Sequence, residues 1–370
     1  MSARFLTVVL ERAFNMRDGF GREIDYMRIS VIDSCNLNCY YCNPCDNNEH
    51  CHALNILSVK EVLCIVRAAT RLGIKHFRLT GGEPLLHPQL DEMVLQIKKI
   101  PGVSSVSLTT NAVLLAQHTK WLKEAGIDSI NVSLDTIDAS EYERITKKPL
   151  LEEVKHGINA AIECGIRVKI NVVLTPQTDV VALTRYVAKK GTDIRFIEMM
   201  PVGEGHTNGV EPYKKVIGTL SKLYGEPCRI NTEKTKEINS GNDKRKIPDN
   251  GPAEYYIFPE LGIRVGLIQA IHGKFCDTCN RIRVTADGRL MPCLGSSVTM
   301  DLVPDSWDFA DDVEKDFAIV RALRAAIKAK PRCHNFNDNA VTYTKTTEIK
   351  TTEIEAAEVN AARNMSRIGG

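Results

Sequence analysis

From Tyr26 to Met200, short β-rich runs alternate with longer amphipathic ones, and no other feature of this sequence restricts the fold as strongly. The expected strands are Met27–Ile32, Lys75–Thr80, Ser104–Thr110, Ser129–Leu134, Arg167–Leu174 and Ile194–Met199. Between them the apolar spacing predicts helices near Val59–Leu72, Gln89–Lys99, Ala116–Ala125, Glu152–Glu163 and Val180–Lys189. Gly73, Gly126, Gly165 and Gly191 stand just past four of these helices, where a left-handed cap is favoured. Strand–helix alternation of this kind builds βαβ units and a parallel sheet. Six units predict a partial (β/α)6 TIM-like barrel, with reactive groups at the C-terminal ends of the strands.

Past Pro201 the pattern changes. A helix near Tyr213–Tyr224 precedes a polar stretch, Asn231–Asn250, and short strands follow at Tyr255–Phe258, Ile263–Gln269 and Arg281–Thr285. Asp287-Gly288 reads as a hairpin turn, and a helix near Val313–Lys330 stops at Pro331. The expected organisation is an N-terminal extension (1–25), the barrel (26–210), a C-terminal α+β module closing the barrel mouth (211–334), and a polar tether with a diglycine tail (335–370). Lys345–Ile349 repeats within that tether as Lys350–Ile354.

Lys and Arg number 48 against 46 Asp and Glu, so no global charge argues for nucleic acid. No run approaches the roughly 18 apolar residues of a membrane span, and no secretory leader is evident, so a cytoplasmic protein is expected. Twelve cysteines in such a compartment favour metal or redox chemistry over disulfides. Five fall in Cys35–Cys51 and three in Cys276–Cys293. Cys64 and Cys164 sit on apolar helical patterns, as packing residues do.

Cys35-x3-Cys39-x2-Cys42 follows a strand, in a loop. Three close thiolates can hold three irons of a cubane and leave the fourth open. Zinc with Cys45 or Cys51 as fourth ligand, or a ferredoxin-like run through Cys45, are the other readings of these thiols. With Tyr41 before the third cysteine and Gly81-Gly82-Glu83-Pro84 after the next strand, the chain resembles the radical S-adenosylmethionine superfamily. The resemblance implies a 4Fe–4S cluster on Cys35, Cys39 and Cys42, with S-adenosylmethionine held by Tyr41, Gly81, Gly82, Glu83, Thr109 and Ser133.

A second trio, Cys276-x2-Cys279-x13-Cys293, brackets Arg281 and Arg283, which share one face of a strand. Zinc, with His272 or Cys333 as fourth ligand, is again the alternative. Paired guanidiniums beside a metal site suit a phosphorylated ligand. Arg28, Arg78, Lys169 and Arg195 are also expected to project into the barrel, where unpaired cations are costly and a polyanion would satisfy them. From about Gly21 to Gly370 the chain closely resembles the GTP 3′,8-cyclase family, most specifically through Phe275–Gly288 and Pro292-Cys293-Leu294.

That resemblance implies conversion of GTP to (8S)-3′,8-cyclo-7,8-dihydroguanosine 5′-triphosphate, the first step towards molybdenum cofactor. It implies a second 4Fe–4S cluster on Cys276, Cys279 and Cys293 that binds guanine. Arg28, Arg78, Lys169, Arg195, Arg281 and Arg283 would surround GTP, with Arg281, Arg283, Gly369 and Gly370 as catalytic candidates. Expected partners are a reductant such as flavodoxin or ferredoxin and a downstream cyclic pyranopterin monophosphate synthase, with a homodimer among the permitted assemblies. A peptide maturase and a two-cluster electron carrier are the competing functions. The chain departs from the family at Asn43, at His76 (often lysine), at Lys147-Lys148 (a Gly-Arg pair) and in the extra Cys45 and Cys51.

Overall fold

A computed structural model describes residues 16–42, 55–202, 205, 209–230, 251–296, 298–302, 312–334 and 336. Strands β1 (Tyr26–Ser30), β2 (His76–Thr80), β3 (Ser105–Thr110), β4 (Ser129–Ser133), β5 (Val168–Val173) and β6 (Asp193–Ile197) pair in parallel and in chain order. Helices α1 (Val59–Arg71), α2 (Leu90–Lys98), α3 (Leu115–Glu124), α4 (Ala139–Thr146), α5 (Leu151–Glu163) and α6 (Val180–Lys189) form the crossovers. Five of these match the apolar periodicity. Only α4 falls where none was expected, although Asp138 caps it by accepting from the Glu141 amide at 2.8 Å. The four glycines assigned to helix ends all adopt positive φ, between 63° and 85°.

Side chains alternate strictly across this sheet. Met27, Ile29, Phe77, Leu79, Val106, Leu108, Ile130, Val132, Ile170, Val172, Ile194 and Phe196 are fully buried in the main core cluster, beside helix residues such as Ile65, Val94 and Ile158. Each such burial stabilises the fold by about 1.5–3 kcal/mol, and together they oblige the intervening residues to face the other way. Arg28, Arg78, Thr109, Asn131, Ser133, Asn171 and Arg195 therefore line the concave side.

The later strands do not build a separate sheet. A short helical stretch (Tyr213–Ile217) runs into α7 (Gly218–Tyr224), followed by β7 (Cys228–Arg229), β8 (Glu254–Ile257), β9 (Arg264–Ile268), β10 (Arg281–Val284), β11 (Arg289–Met291), β12 (Met300–Asp301) and α8 (Asp312–Lys328). β9 pairs in parallel with β6, and β10 in parallel with β1, so the C-terminal strands extend both edges. The order is β12-β11-β10-β1-β2-β3-β4-β5-β6-β9-β8-β7, an open sheet of twelve strands among the described residues. Gly288, at φ 77°, makes the expected hairpin between β10 and β11. No helix among the described residues is long and apolar enough to cross a membrane.

Candidate functional site

The concave face encloses a cavity of about 320 Å³ lined by both cysteine trios and by side chains from β1 to β6 and β10. Cys35, Cys39 and Cys42 lie in the loop after β1, at the C-terminal ends of the parallel strands. The Gly82 amide donates to Ile32 O and the Glu83 amide to Ser34 O, both at 2.8 Å, so the Gly81–Glu83 turn is stacked on the strand end that launches the cysteine loop. Only glycine fits there. A Cβ on Gly81 would lie 2.2 Å from Ile32 O, and one on Gly82 2.1 Å from Ser34 O, both backbone atoms.

Glu83 is buried, and its carboxylate accepts from the Leu85 amide (3.0 Å), the Thr110 hydroxyl (2.6 Å) and the Asn111 amide (2.7 Å). Burial pushes its pKa up to about 7 against those hydrogen bonds. Its side chain thus ties the glycine turn to the end of β3. The cysteine loop is pinned from the other side by α4, where the Asn38 and Tyr40 amides donate to Thr146 O and Ile145 O. Tyr41 donates its phenol proton to Asp135, which also accepts from the Val173 amide at 2.7 Å. Burial raises Asp135 to about 6.

Desolvation raises the Cys35 thiol to about 11 and Cys39 further, with Cys42 and Asp135 adding to the effect on Cys39. These thiols are therefore protonated until a metal takes the proton's place, as thiolate ligands require. Among the described residues no three His, Cys, Asp or Glu converge as one shared ion would demand. A cubane asks instead for one thiolate per iron around a larger space, which a loop of three soft donors lining one cavity suits.

At the second trio, Cys276 begins a single helical turn closed by the Cys279 amide on Cys276 O (3.1 Å), and Cys293 follows β11. Burial raises Cys293. Cys279 is also raised by burial, but Lys330 and Arg281 outweigh this and leave it below the ordinary thiol value. The donor set is again three thiols on one cavity, so the residues suit a second cluster in the same way.

Cations form a band across β10, β1 and β2. The register pairs Arg283 with Arg28 and Arg28 with Arg78, placing three guanidinium-bearing residues side by side on adjacent strands. Neighbouring strands lie roughly 4.8 Å apart, so like charges there repel. Burial first and then Arg283 hold Arg28 well below the usual guanidinium value, while burial and Arg281 lower Arg283 to about 10. Although burial raises Tyr26, Arg78 and Arg28 pull its phenol below the ordinary value, and Arg78 donates to it. Arg195 donates to Asn171 Oδ1 at 3.0 Å. A band under this mutual repulsion suits a polyanion.

The cavity brings together every described residue assigned to the two clusters, S-adenosylmethionine or GTP except one; His272 and Cys333, the alternative zinc ligands, do not line it. Lys169 is buried one step below Asn171 on β5, with its ammonium 5.8 Å from the centre of the Tyr255 ring. The same face holds both residues, but the cavity floor lies at Asn171. Gly369, Gly370, Asn43, Cys45 and Cys51 lie outside the described residues. Sequence reasoning missed Tyr26, Asn111, Asp135, Lys330 and His334 as lining residues. Tyr26 was detectable, being two residues before Arg28 on one strand face; Lys330, at a helix end, carried no such signal.

The radical SAM superfamily profile matches residues 29–182, and the Molybdenum Cofactor Synthesis C profile matches residues 192–336. Curated relatives cover nearly their whole length. The GTP 3′,8-cyclase of Clostridium perfringens (strain SM101 / Type A) is 35% identical over 324 residues, 87% of this chain and 95% of the relative. That of Pelotomaculum thermopropionicum is 36% identical over 327 residues (86% and 95%), and that of Peptoclostridium acidaminophilum 37% over 328 (87% and 94%). Among solved structures, Streptococcus suis SuiB bound to S-adenosylmethionine superposes with a TM-score of 0.52 at 15% identity, covering 81% of this chain and 65% of that one, a likeness of fold. With sequence similarity sustained over nearly the full length of these relatives, the chain belongs to the GTP 3′,8-cyclase family of radical S-adenosylmethionine enzymes.

Proposed function

We propose that this chain is a radical S-adenosylmethionine lyase that cyclises GTP to (8S)-3′,8-cyclo-7,8-dihydroguanosine 5′-triphosphate, opening molybdenum cofactor biosynthesis. The observation that carries this reading is one cavity lined by two cysteine trios with an arginine band between their strands. An electron carrier has no use for such a band, nor for a glycine turn stacked on the first cysteine loop.

Cys35, Cys39 and Cys42 would hold one 4Fe–4S cluster, and Cys276, Cys279 and Cys293 the other. Once loaded, the first cluster would supply an electron to S-adenosylmethionine for radical chemistry at H3′ and C8 of GTP, and the second would bind the guanine base. The protein's own part is placement and exclusion of water. The Gly81–Glu83 backbone, held by Glu83, would receive the methionyl group, with Tyr41, Thr109 and Ser133 along the rest of that cofactor. Arg28, Arg78, Arg195, Arg281 and Arg283 would bind the triphosphate by charge-assisted hydrogen bonds. Lys169 would act from beneath them, and the Gly369-Gly370 tail would thread into the crowded cavity.

The division of the chain into a barrel of residues 26–210 and a C-terminal module of residues 211–334 belongs to this proposal. So do a cytoplasmic setting, a flavodoxin- or ferredoxin-like reductant and a downstream cyclic pyranopterin monophosphate synthase. The test is anaerobic reconstitution, reduction with S-adenosylmethionine present, and measurement of 5′-deoxyadenosine and nucleotide products with and without GTP. GTP-dependent release with a cyclised nucleotide is expected. Cleavage indifferent to GTP would refute the substrate, and full iron loading without cleavage would refute the enzyme.

A further inference from the structure

Three polypeptide arms carry the second cysteine trio, and two buried cations hold them together. Arg22 donates to Cys276 O (2.7 Å), to Arg332 O (2.9 Å) and to Pro331 O (2.6 Å). Lys330 donates to Arg281 O and to Pro292 O, each at 2.8 Å. Arg281 is two residues past Cys279 and Pro292 immediately precedes Cys293, so this one ammonium links the arms of both ligands. Residues 330–332, just past α8, are the hub that all three arms share.

The two cations differ in electrical balance. Arg22 is paired at 2.5 Å with Asp18, whose side chain is fully buried, so the Arg22 clamp is close to neutral. Lys330 is only 3% exposed and lines the cavity, yet among the described residues it makes no ion pair with a carboxylate. Its ammonium donates to those two neutral carbonyls and also hydrogen-bonds the Cys279 thiol, and its charge favours the thiolate forms of Cys279 and Cys293. A buried ammonium without a carboxylate partner is costly. Among the described residues, the negative charge that its position serves is that of the thiolate ligands, with the group they would hold.

We infer that Lys330 is the charge-balancing, positioning residue of the second cysteine trio, setting the reduction potential of the 4Fe–4S cluster held there. This rests on the two-cluster reading above. Positive charge near a cluster favours its reduced, more negative form. The substrate-side cluster would thereby be tuned separately from the one at Cys35, Cys39 and Cys42.

The experiment is an anaerobic redox titration of the reconstituted full-length chain followed by electron paramagnetic resonance. Iron and sulfide are counted on each sample, and the first cluster's signal is marked by its response to S-adenosylmethionine. In Lys330→Met, which keeps the apolar stem, the reduced-to-oxidised ratio of the second cluster at fixed potential should fall about tenfold, a shift of about 59 mV for one electron. The first cluster should not move. Lys330→Arg should stay within about twofold of wild type. A second cluster that titrates as wild type in Lys330→Met, or two clusters that shift together, would overturn the inference. If Lys330→Met holds no second cluster, full iron in Lys330→Arg supports the charge, and loss in both variants overturns it. A wild-type chain with only one cluster refutes the functional reading itself and removes this inference with it.

Discussion

Replacing Arg22 by methionine should destabilise the protein by about 5 kcal/mol, and the structure says where that figure comes from. The guanidinium is 7% exposed and its partner Asp18 not at all. Removing the cation leaves a buried carboxylate still accepting from the Phe20 and Arg22 amides at 2.9 and 3.0 Å. An uncompensated buried charge of this kind costs about 3–5 kcal/mol. Losing donors to three carbonyls adds about 1 kcal/mol at Cys276 O, which is buried, and less at Pro331 and Arg332, which water can reach. The double variant Arg22→Met with Asp18→Asn removes the stranded charge while keeping an acceptor for the two amides. It should recover roughly 2–3 kcal/mol of the loss. Pulse proteolysis of the reconstituted protein across a urea series measures both, since cleavage reports the population of the open form. A single variant costing under about 1 kcal/mol, or a double variant no better than the single, would refute the reasoning. Iron in the second trio should become easier to chelate in step with the stability lost.

Three further outcomes follow from the same geometry. Gly82→Ala should abolish binding of S-adenosylmethionine, because its Cβ would lie 2.1 Å from Ser34 O; Gly218→Ala, with nothing within 4 Å, should bind normally in equilibrium dialysis. Lys147 closes α4 at φ 61°, so Lys147→Gly should raise stability by about 1 kcal/mol in chemical denaturation, and a loss would contradict the strain argument. Glu83, raised by burial to about 7 from an ordinary 4.5, binds its proton more tightly in the folded state. Its stabilising contribution is complete below about pH 4.5 and disappears as pH rises through 7, a change of about 3 kcal/mol. Glu83→Gln should flatten that part of the stability–pH curve, and an unchanged curve would assign the dependence elsewhere.

Much of this protein was written locally. The alternation of Met27, Ile29 and Arg28, repeated in Phe77, Leu79 and Arg78, specifies a strand with one apolar and one cationic face whatever surrounds it, because side chains on a strand alternate. The cysteine spacings and the Gly81–Pro84 turn are equally local, since they depend on chain geometry within a few residues. The tertiary structure decided what pairs with what. That β10 adds to β1 and β9 to β6, rather than forming a sheet of their own, comes from contacts more than 200 residues apart in the first case, on which short-range periodicity is silent. The same pairing sets Arg283 beside Arg28 and turns separate basic residues into one band. Lys169 shows the converse: its face was legible, but its depth relative to the cavity floor was not. Lys330 and Arg22 lie at a helix end and in a turn, with ordinary sequence neighbours. Only folding buries them and aims their donors at the backbone of the second cysteine trio.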